Sequence, residues 1–481
     1  DRSLSARSVT RGQSWRCRHD PNGRSRVECA RWVGAGNMSR IVYTLALYLL
    51  LPVVLFHLIR RGFRNPSYWH RWGERFGYVP SAGTDKLIWI HAVSVGEARA
   101  AVPLVKRLFD RYPDHEILIT TMTPTGSTTV ESLLGDRVRH HYVPYDYPGA
   151  VRRFLERQRP TLALIMETEL WPNLFHACRE RHIPIMVANV RLSERSARRY
   201  SWFASLTRAT LNQPTAFGVQ NQTHADRLIS LGAEPARVHV TGSIKFELVL
   251  PASLLEAADV LRRDWGADRP VWIAASTRDG EDESILTTHL DLRRQARFAN
   301  ALLVLVPRHP ERFANVAKLS RKLGLNTAQR SDVQEAQVSR VRRDAQPRAT
   351  RTPRALPAEV EVLVGDTMGE LQLFYAAADC AFIGGSLVPT GGHNLLEACA
   401  VGKAVVFGPH MFNFAEIAQL ALERGAGVQV HDAGGLRAAV GDFLGNANRR
   451  DMAGGAGRKM VEENRGALEH TLAVLDDIYP A

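Results

Sequence analysis

From Leu87 to the C-terminus, short runs of aliphatic and β-branched residues alternate with amphipathic stretches, and this alternation limits the fold more sharply than any other feature. One series is LIWIH (87–91), EILITT (116–121), HHYVPY (140–145), TLALIM (161–166), IPIMVAN (183–189), AFGVQ (216–220) and VHVTG (238–242). A second is VWIAAS (271–276), ALLVLVP (301–307), EVLVGD (361–366), CAFIGG (380–385), AVVFG (404–408) and GAGVQV (425–430). Runs this short and apolar read as strands covered on both faces, and the helical period between them reads as the covering helices. Such alternation specifies βαβ units and a mostly parallel sheet. The series pauses at KFELVLPAS (245–253), so two α/β domains are expected, 61–245 and 246–481. Residues 331–357, rich in Arg, Gln, Ala and Pro without a period, read as a flexible insertion in the second.

The N-terminus follows different rules. Residues 1–37 are polar and Arg-rich with no apolar period, and are expected to be a disordered extension or a misassigned start ahead of Met38. Residues 41–59, IVYTLALYLLLPVVLFHLI, contain no ionisable side chain of charge-bearing class except His57 and match the length that spans a bilayer. The run ends in RRGFR rather than small residues, which argues against a cleaved signal. Arg60, Arg61 and Arg64 would hold the following domain in the cytoplasm. An uncleaved anchor over 38–60, spanning or interfacial, is expected. The formal charge of +13 favours acidic partners, yet residues 1–37 (net +5) and 331–357 (net +3) together carry 8 of it, which weakens a nucleic-acid reading. Five cysteines without C-x-x-C spacing fit a reducing compartment, and no His/Cys cluster has zinc spacing.

Ligands of open parallel sheets bind beyond the carboxyl ends of the strands. Glu97 lies there, in HAVSVGE, where LIWIH hands over to an amphipathic helix. Ser94-x-x-Glu97 also spells a capping box, with Ser94 as N-cap, so the residues alone support both a functional and a capping role. METELWPN puts Glu167 and Glu169 after another strand at the same sheet edge, where facing carboxylates can keep one proton raised in pKa. Nearby, Arg191, Ser193 and Arg195 gather in NVRLSERS with Arg198 and Arg199, a solvated face or a phosphate-recognising one. In the second half, Ser276, Thr277 and Arg278 follow one strand, Arg308 and His309 a second, and Met368 and Gly369 a third. Gly391 and Gly392 are expected to admit a ligand to the backbone, ahead of a helix opening at His393. Asn394 and Glu397 would share one face of that helix at i, i+3, with its amides towards an anion.

HAVSVGE, TTMTPTG, METELWPN, ANVRLSERS, FGVQNQTHADRLISLGA, VTGSIKFE, LVPRHPERF and GGSLVPTGGHNLLEACAVGKAVVFGP, in this order from about Met38 onward, resemble the Kdo transferases of lipopolysaccharide assembly. The resemblance implies a GT-B architecture of two Rossmann-like domains with a facing cleft, plus an N-terminal membrane-anchor helix. It implies transfer of the acidic sugar Kdo from CMP-Kdo to the lipid A precursor, lipid IVA, at the cytoplasmic face of the bacterial inner membrane. No cofactor, metal or nucleic acid is implied. Carried over, the catalytic base falls on Glu97 and the second acidic motif on Glu167 and Glu169. Donor binding falls on Ser276, Thr277, Arg278, Arg308, His309, Met368, Gly369, Gly391, Gly392, Asn394 and Glu397, and acceptor binding on Ser94, Thr123, Arg191, Ser193 and Arg195. The alternatives are another GT-B lipid glycosyltransferase using a UDP-sugar, and a sugar-nucleotide epimerase on the same scaffold.

Overall fold

The computed structural model describes residues 26–248, 250–334 and 356–480, with side chains from Met38 onward. It divides into two compact units. One runs to Gly242 and takes in the C-terminal stretch from Leu468; the other is Ser243–Ala467. The first holds a seven-stranded sheet made of β1 (Leu87–His91), β2 (Glu116–Thr121), β3 (Arg139–Tyr142), β4 (Leu162–Met166), β5 (Ile185–Val190), β6 (Ala216–Val219) and β7 (Val238–Val240). Their order is β3-β2-β1-β4-β5-β6-β7, and every pairing is parallel. The second unit holds β8 (Val271–Thr277), β9 (Leu302–Pro307), β10 (Thr327–Gln329), β11 (Val362–Val364), β12 (Cys380–Ile383), β13 (Ala404–Phe407) and β14 (Gly427–Gln429). Their order is β10-β11-β9-β8-β12-β13-β14, again parallel throughout. Both are Rossmann-like sheets. The winding reverses between β1 and β4 in one and between β8 and β12 in the other, so each sheet has one switch point.

The central strands β1, β4, β8 and β12 are buried almost throughout, as their unbroken apolar runs require. Every run foreseen as a strand contains one. β10 was not foreseen, because Thr327-Ala328-Gln329 is short, half-buried and without an apolar pattern; it is held by pairing with β11.

Both ends of the chain correct the expected domains. The N-terminal helix runs Arg26–Arg64, so residues 26–37 continue it rather than forming an extension without structure; residues 1–25 lie outside the described residues. Most of the expected insertion, 335–355, also lies outside them. The helix Ala467–Ile478 does not stay with the second unit. Arg107 and Arg111 of the first unit pair with Glu469 and Asp476, and the Tyr112 hydroxyl donates to the Tyr479 carbonyl at 2.8 Å. The Tyr479 hydroxyl reaches Thr161 at 2.8 Å. These bonds join residues more than three hundred positions apart, a distance at which local sequence carries no signal.

The N-terminal helix is joined to the first unit by a buried carboxylate. Asp146 accepts from the amides of Asn173 (3.0 Å) and Leu174 (2.7 Å), at the start of helix Pro172–Glu180, and from the Tyr43 hydroxyl (3.1 Å). Burial pushes its carboxyl up to about 7 against the pull of these donors. Asp146→Ala leaves buried donors without an acceptor, which costs roughly 1–3 kcal/mol per unsatisfied group. Chemical denaturation in detergent is expected to show a loss of at least that size; a variant as stable as the parent would show that Asp146 does not join helix to domain.

Candidate active site

At the switch point of the first sheet, the chain leaves β1 through Ala92–Ser94 and enters helix Val95–Arg111. Ser94 is the N-cap, its hydroxyl accepting from the Glu97 amide at 3.2 Å. Glu97 folds back on this turn: one carboxylate oxygen accepts from the Ser94 hydroxyl (2.9 Å), the other from the Val93 amide (2.8 Å). The Ser94 half of the expected capping box is therefore formed, while Glu97 reaches back to the Val93 amide rather than to that of Ser94. This geometry coexists with an unusual electrostatic state, because Glu97 is 7% exposed and its carboxyl is raised to about 7. Burial is the main cause, followed by the nearby charge of Glu167, with Glu169 adding a smaller push.

Those two acids come from the loop after β4. Glu167 has φ +56°, the left-handed region that few non-glycine residues occupy, and its amide donates to the Ala188 carbonyl of β5 at 2.8 Å. Glu169 accepts from the Trp171 indole at 2.9 Å, and burial raises its carboxyl too. Trp171 stands edge-on to His91 at the end of β1, with ring centroids 5.5 Å apart. Complete burial pulls the His91 imidazole down to about 4, so this floor is uncharged. Glu97, Glu167 and Glu169 thus form one electrostatic group on two adjacent strands.

The residues expected to bind an acceptor divide into hydroxyls and arginines. Ser94, Thr123 and Ser193 are all N-caps, Thr123 accepting from Gly126 at 3.1 Å and Ser193 from Ser196 at 3.1 Å. Arg191 exchanges backbone bonds with the Thr168 hydroxyl, tying the loop after β5 to the acidic loop after β4, while Arg195 is exposed. A cavity of about 670 Å³ opens beside Glu97. Val93, Ser94 and Thr123 form one wall, and Val53, Val54 and Leu58 of the N-terminal helix another.

At the second switch point, β8 ends in a bulge. Its pairing with β9 shifts between Ala275 and Thr277, and Ser276 between them takes φ +58°. The bulge delivers Arg278, whose guanidinium touches the imidazoles of His309, after β9, and His393, after β12 (3.3 Å). The Thr277 hydroxyl donates to Asp282 (2.7 Å), and the Arg308 amide donates back to the Thr277 carbonyl (3.1 Å). Met368 is exposed and Gly369 has φ +86°, both in the loop after β11.

The reading of 391–397 is corrected at the helix, and the glycines there have a packing role of their own. Gly391 and Gly392 have φ +99° and +72°, but a Cβ on them would strike Asn413 and Met411 at 2.1 and 2.2 Å, so close packing of the neighbouring loop demands the glycines. The helix opens at Leu396, spans five residues to Ala400, and excludes Asn394. Asn394 instead accepts from the Leu396 amide at 3.1 Å, so it shares no helix face with Glu397.

Sequence reasoning missed Glu281. This fully buried carboxylate accepts from the amides of Arg278 (2.9 Å), Gly385 (2.7 Å), Ser386 (3.0 Å) and Leu387 (2.9 Å), fastening the loop after β8 to the loop after β12. In TRDGEDE it looks like one of several solvated acids; three of its donors lie more than a hundred residues away. Among the described residues, no group of three or more His, Cys, Asp or Glu side chains is placed to hold a metal ion.

Two Rossmann-like sheets, each open at a single switch point, are the architecture of the GT-B class. Residues 70–248 match the family model described as 3-deoxy-D-manno-octulosonic-acid transferase (kdotransferase). The chain belongs to the 3-deoxy-D-manno-octulosonic acid (Kdo) transferase family. It is 41% identical over 442 residues to the 3-deoxy-D-manno-octulosonic acid transferase of Haemophilus influenzae, covering 91% of this chain and 98% of that one. The enzyme of the same name from Bordetella pertussis is 36% identical over 450 residues, covering 92% and 99%. A crystal structure of the C-terminal CMP-Kdo binding domain of WaaA from Acinetobacter baumannii covers 47% of this chain and 99% of its own, at 28% identity and a TM-score of 0.35.

Glu281→Gln replaces one accepting oxygen by an amide that cannot accept. At least one buried N–H then loses its partner, for roughly 1–3 kcal/mol. Denaturation is expected to show that loss in the variant; unchanged stability would mean that Glu281 does not hold the two loops together.

Proposed function

We propose that this chain transfers Kdo from CMP-Kdo to lipid IVA by a single inverting displacement that needs no metal, at the cytoplasmic face of the bacterial inner membrane. The observation that carries the reading is Glu97: a buried carboxyl raised to about 7, at a switch point, beside a cavity whose other wall is an apolar helix. A base of this pKa is half ionised near neutral pH, where proton transfer from a sugar hydroxyl is most effective. Glu97 takes that proton as the hydroxyl oxygen bonds to the anomeric carbon of Kdo. The bond from that carbon to the phosphate oxygen breaks, and CMP leaves with the electron pair. Attack opposite the leaving group inverts the anomeric centre.

The donor belongs to the second unit on this reading. Arg278 and Arg308 supply positive charge at the ends of β8 and β9 for the departing phosphate, the task a metal performs elsewhere. Glu397 is proposed as acceptor for the ribose hydroxyls. The helix Met38–Phe63 is long and apolar enough to cross a membrane, and is proposed as the anchor that keeps the enzyme beside its lipid substrate.

Glu97→Gln keeps the size and capping ability of the side chain but not its basicity. Transfer, measured as the mass of the lipid product, is expected to fall by at least ~10²–10⁴-fold. Near-parental turnover would leave Glu97 a cap and nothing more. The rate of the parent enzyme should fall as pH drops through about 7, because Glu97 holds its proton below that value. Glu167→Gln removes a negative neighbour that raises Glu97, so the acid limb should move to lower pH; an unmoved limb would assign it to another group.

Calorimetry addresses the donor. Glu397→Ala is expected to bind CMP about ten-fold to a hundred-fold more weakly, the loss of hydrogen bonds to a charged acceptor worth roughly 1.5–3 kcal/mol. Glu97→Ala should bind CMP normally. Equal losses in both would put the nucleotide in the wrong unit, and tighter binding of UDP than CMP would favour a UDP-sugar donor.

A further inference from the structure

The N-terminal helix has two unlike faces along its whole apolar length. Ile41, Leu45, Leu49, Val53 and Phe56 are exposed and recur at helical spacing. Tyr43, Thr44, Leu47, Leu51, Val54 and Leu58 form the opposite stripe, and all are partly or fully covered. The cover is the first unit itself. Near the start of the run, the Thr44 hydroxyl reaches Asn173 (3.1 Å), Tyr43 reaches Asp146, and the Tyr147 hydroxyl donates to the Leu47 carbonyl (3.1 Å). Near its end, the Arg61 guanidinium lies over Tyr68 (5.7 Å), and Phe63 packs edge-on against Trp69 (5.3 Å). From Tyr43 to Arg61 the helix rises about 27 Å at ~1.5 Å per residue, close to the ~30 Å thickness of a bilayer's hydrocarbon core.

A helix crossing that core would carry with it everything docked along its inner face. Asp146, Asn173 and Tyr147 would lie at hydrocarbon depth, together with the irregular loops that bear them, which lipid does not tolerate. Resting on the rim of the same unit, Trp202 and Phe203 are 72% and 67% exposed, at the start of helix Ala204–Leu211, which packs against the apolar helix. Arg195, Arg198 and Arg199 precede them. Exposed aromatic rings flanked by arginines suit the headgroup level of an anionic bilayer, not its centre.

We infer that the helix lies in the plane of one leaflet, its exposed stripe sunk in the acyl boundary and its inner stripe docked on the first unit, and that Trp202 and Phe203 enter the same leaflet. This rests on the reading that the chain is membrane-associated and replaces crossing by lying flat. The cavity beside Glu97, walled by Val53, Val54 and Leu58, then opens at headgroup depth.

The test uses the full chain with Cys17 and Cys29 replaced by Ser, carrying Met38→Cys or Phe63→Cys, both exposed positions. Cys178, Cys380 and Cys399 are buried and stay silent. In sealed vesicles of either orientation, a membrane-impermeant maleimide should label both positions from the face that bears the catalytic domain and neither from the other. A nitroxide at Leu49→Cys should report a shallow depth, ~5–10 Å below the headgroups. Labelling of position 38 from the opposite face, or a nitroxide at the bilayer centre, would overturn the inference in favour of a crossing helix. Failure of the chain to sediment with vesicles at all would overturn both it and the anchoring role, while a flat helix in an inactive Glu97→Gln background would leave the topology standing apart from the chemistry.

Discussion

A parallel sheet keeps its polar edges at the ends of its strands, and only where the winding reverses do two neighbouring loops part and leave room for a ligand. The candidate sites of this chain follow from that constraint, applied twice. Between β1 and β4 it brings together Glu97, Glu167 and Glu169; between β8 and β12 it brings together Arg278, His393 and Glu281. The strands at both places are apolar until their last residues, so the charged groups have no position open to them except the ends. Backbone strain marks the same places, at Glu167 and Ser276.

Two buried glutamates at these points show how environment sets a carboxylate's role. Glu281 is surrounded by amides from two loops, each directed at an oxygen, and these hydrogen bonds make it a structural clasp. Glu97 receives one amide and one hydroxyl, and shares its surroundings with two further acids. The first environment saturates its carboxylate with donors, while the second is buried beside like charges that raise the Glu97 carboxyl. A group used to carry protons belongs in the second, where neither state is strongly preferred near neutrality.

Much of this was legible in the residues. The strand runs were plain because burial on both faces keeps the middle of the central strands apolar, and the strand ends named most of the polar side chains that converge there. The Ser94-x-x-Glu97 spacing supported both a cap and a site, and the structure shows why neither reading excludes the other. What stayed hidden depends on distant partners. Glu281 has donors after β12, the glycines at 391 and 392 are required by Asn413 and Met411, and β10 is defined by its neighbour alone. Asn394 and Glu397 were misjudged for a local reason: an asparagine bonds the backbone two residues on as readily as it joins a helix, and here Asn394 holds the Leu396 amide ahead of the N-cap Leu395.

The return of helix Ala467–Ile478 to the first unit matters for how the protein is made. Domains form in order as the chain leaves the ribosome, but this first domain cannot finish when its own sheet is complete. Arg107, Arg111, Tyr112 and Thr161 wait for partners more than three hundred residues further along the chain. The second domain, although synthesised later, has all its strands before the first has its closing helix. Emergence of that helix is therefore the event that seals the domain bearing Glu97, and a ribosome that stops short of it leaves that domain unlatched.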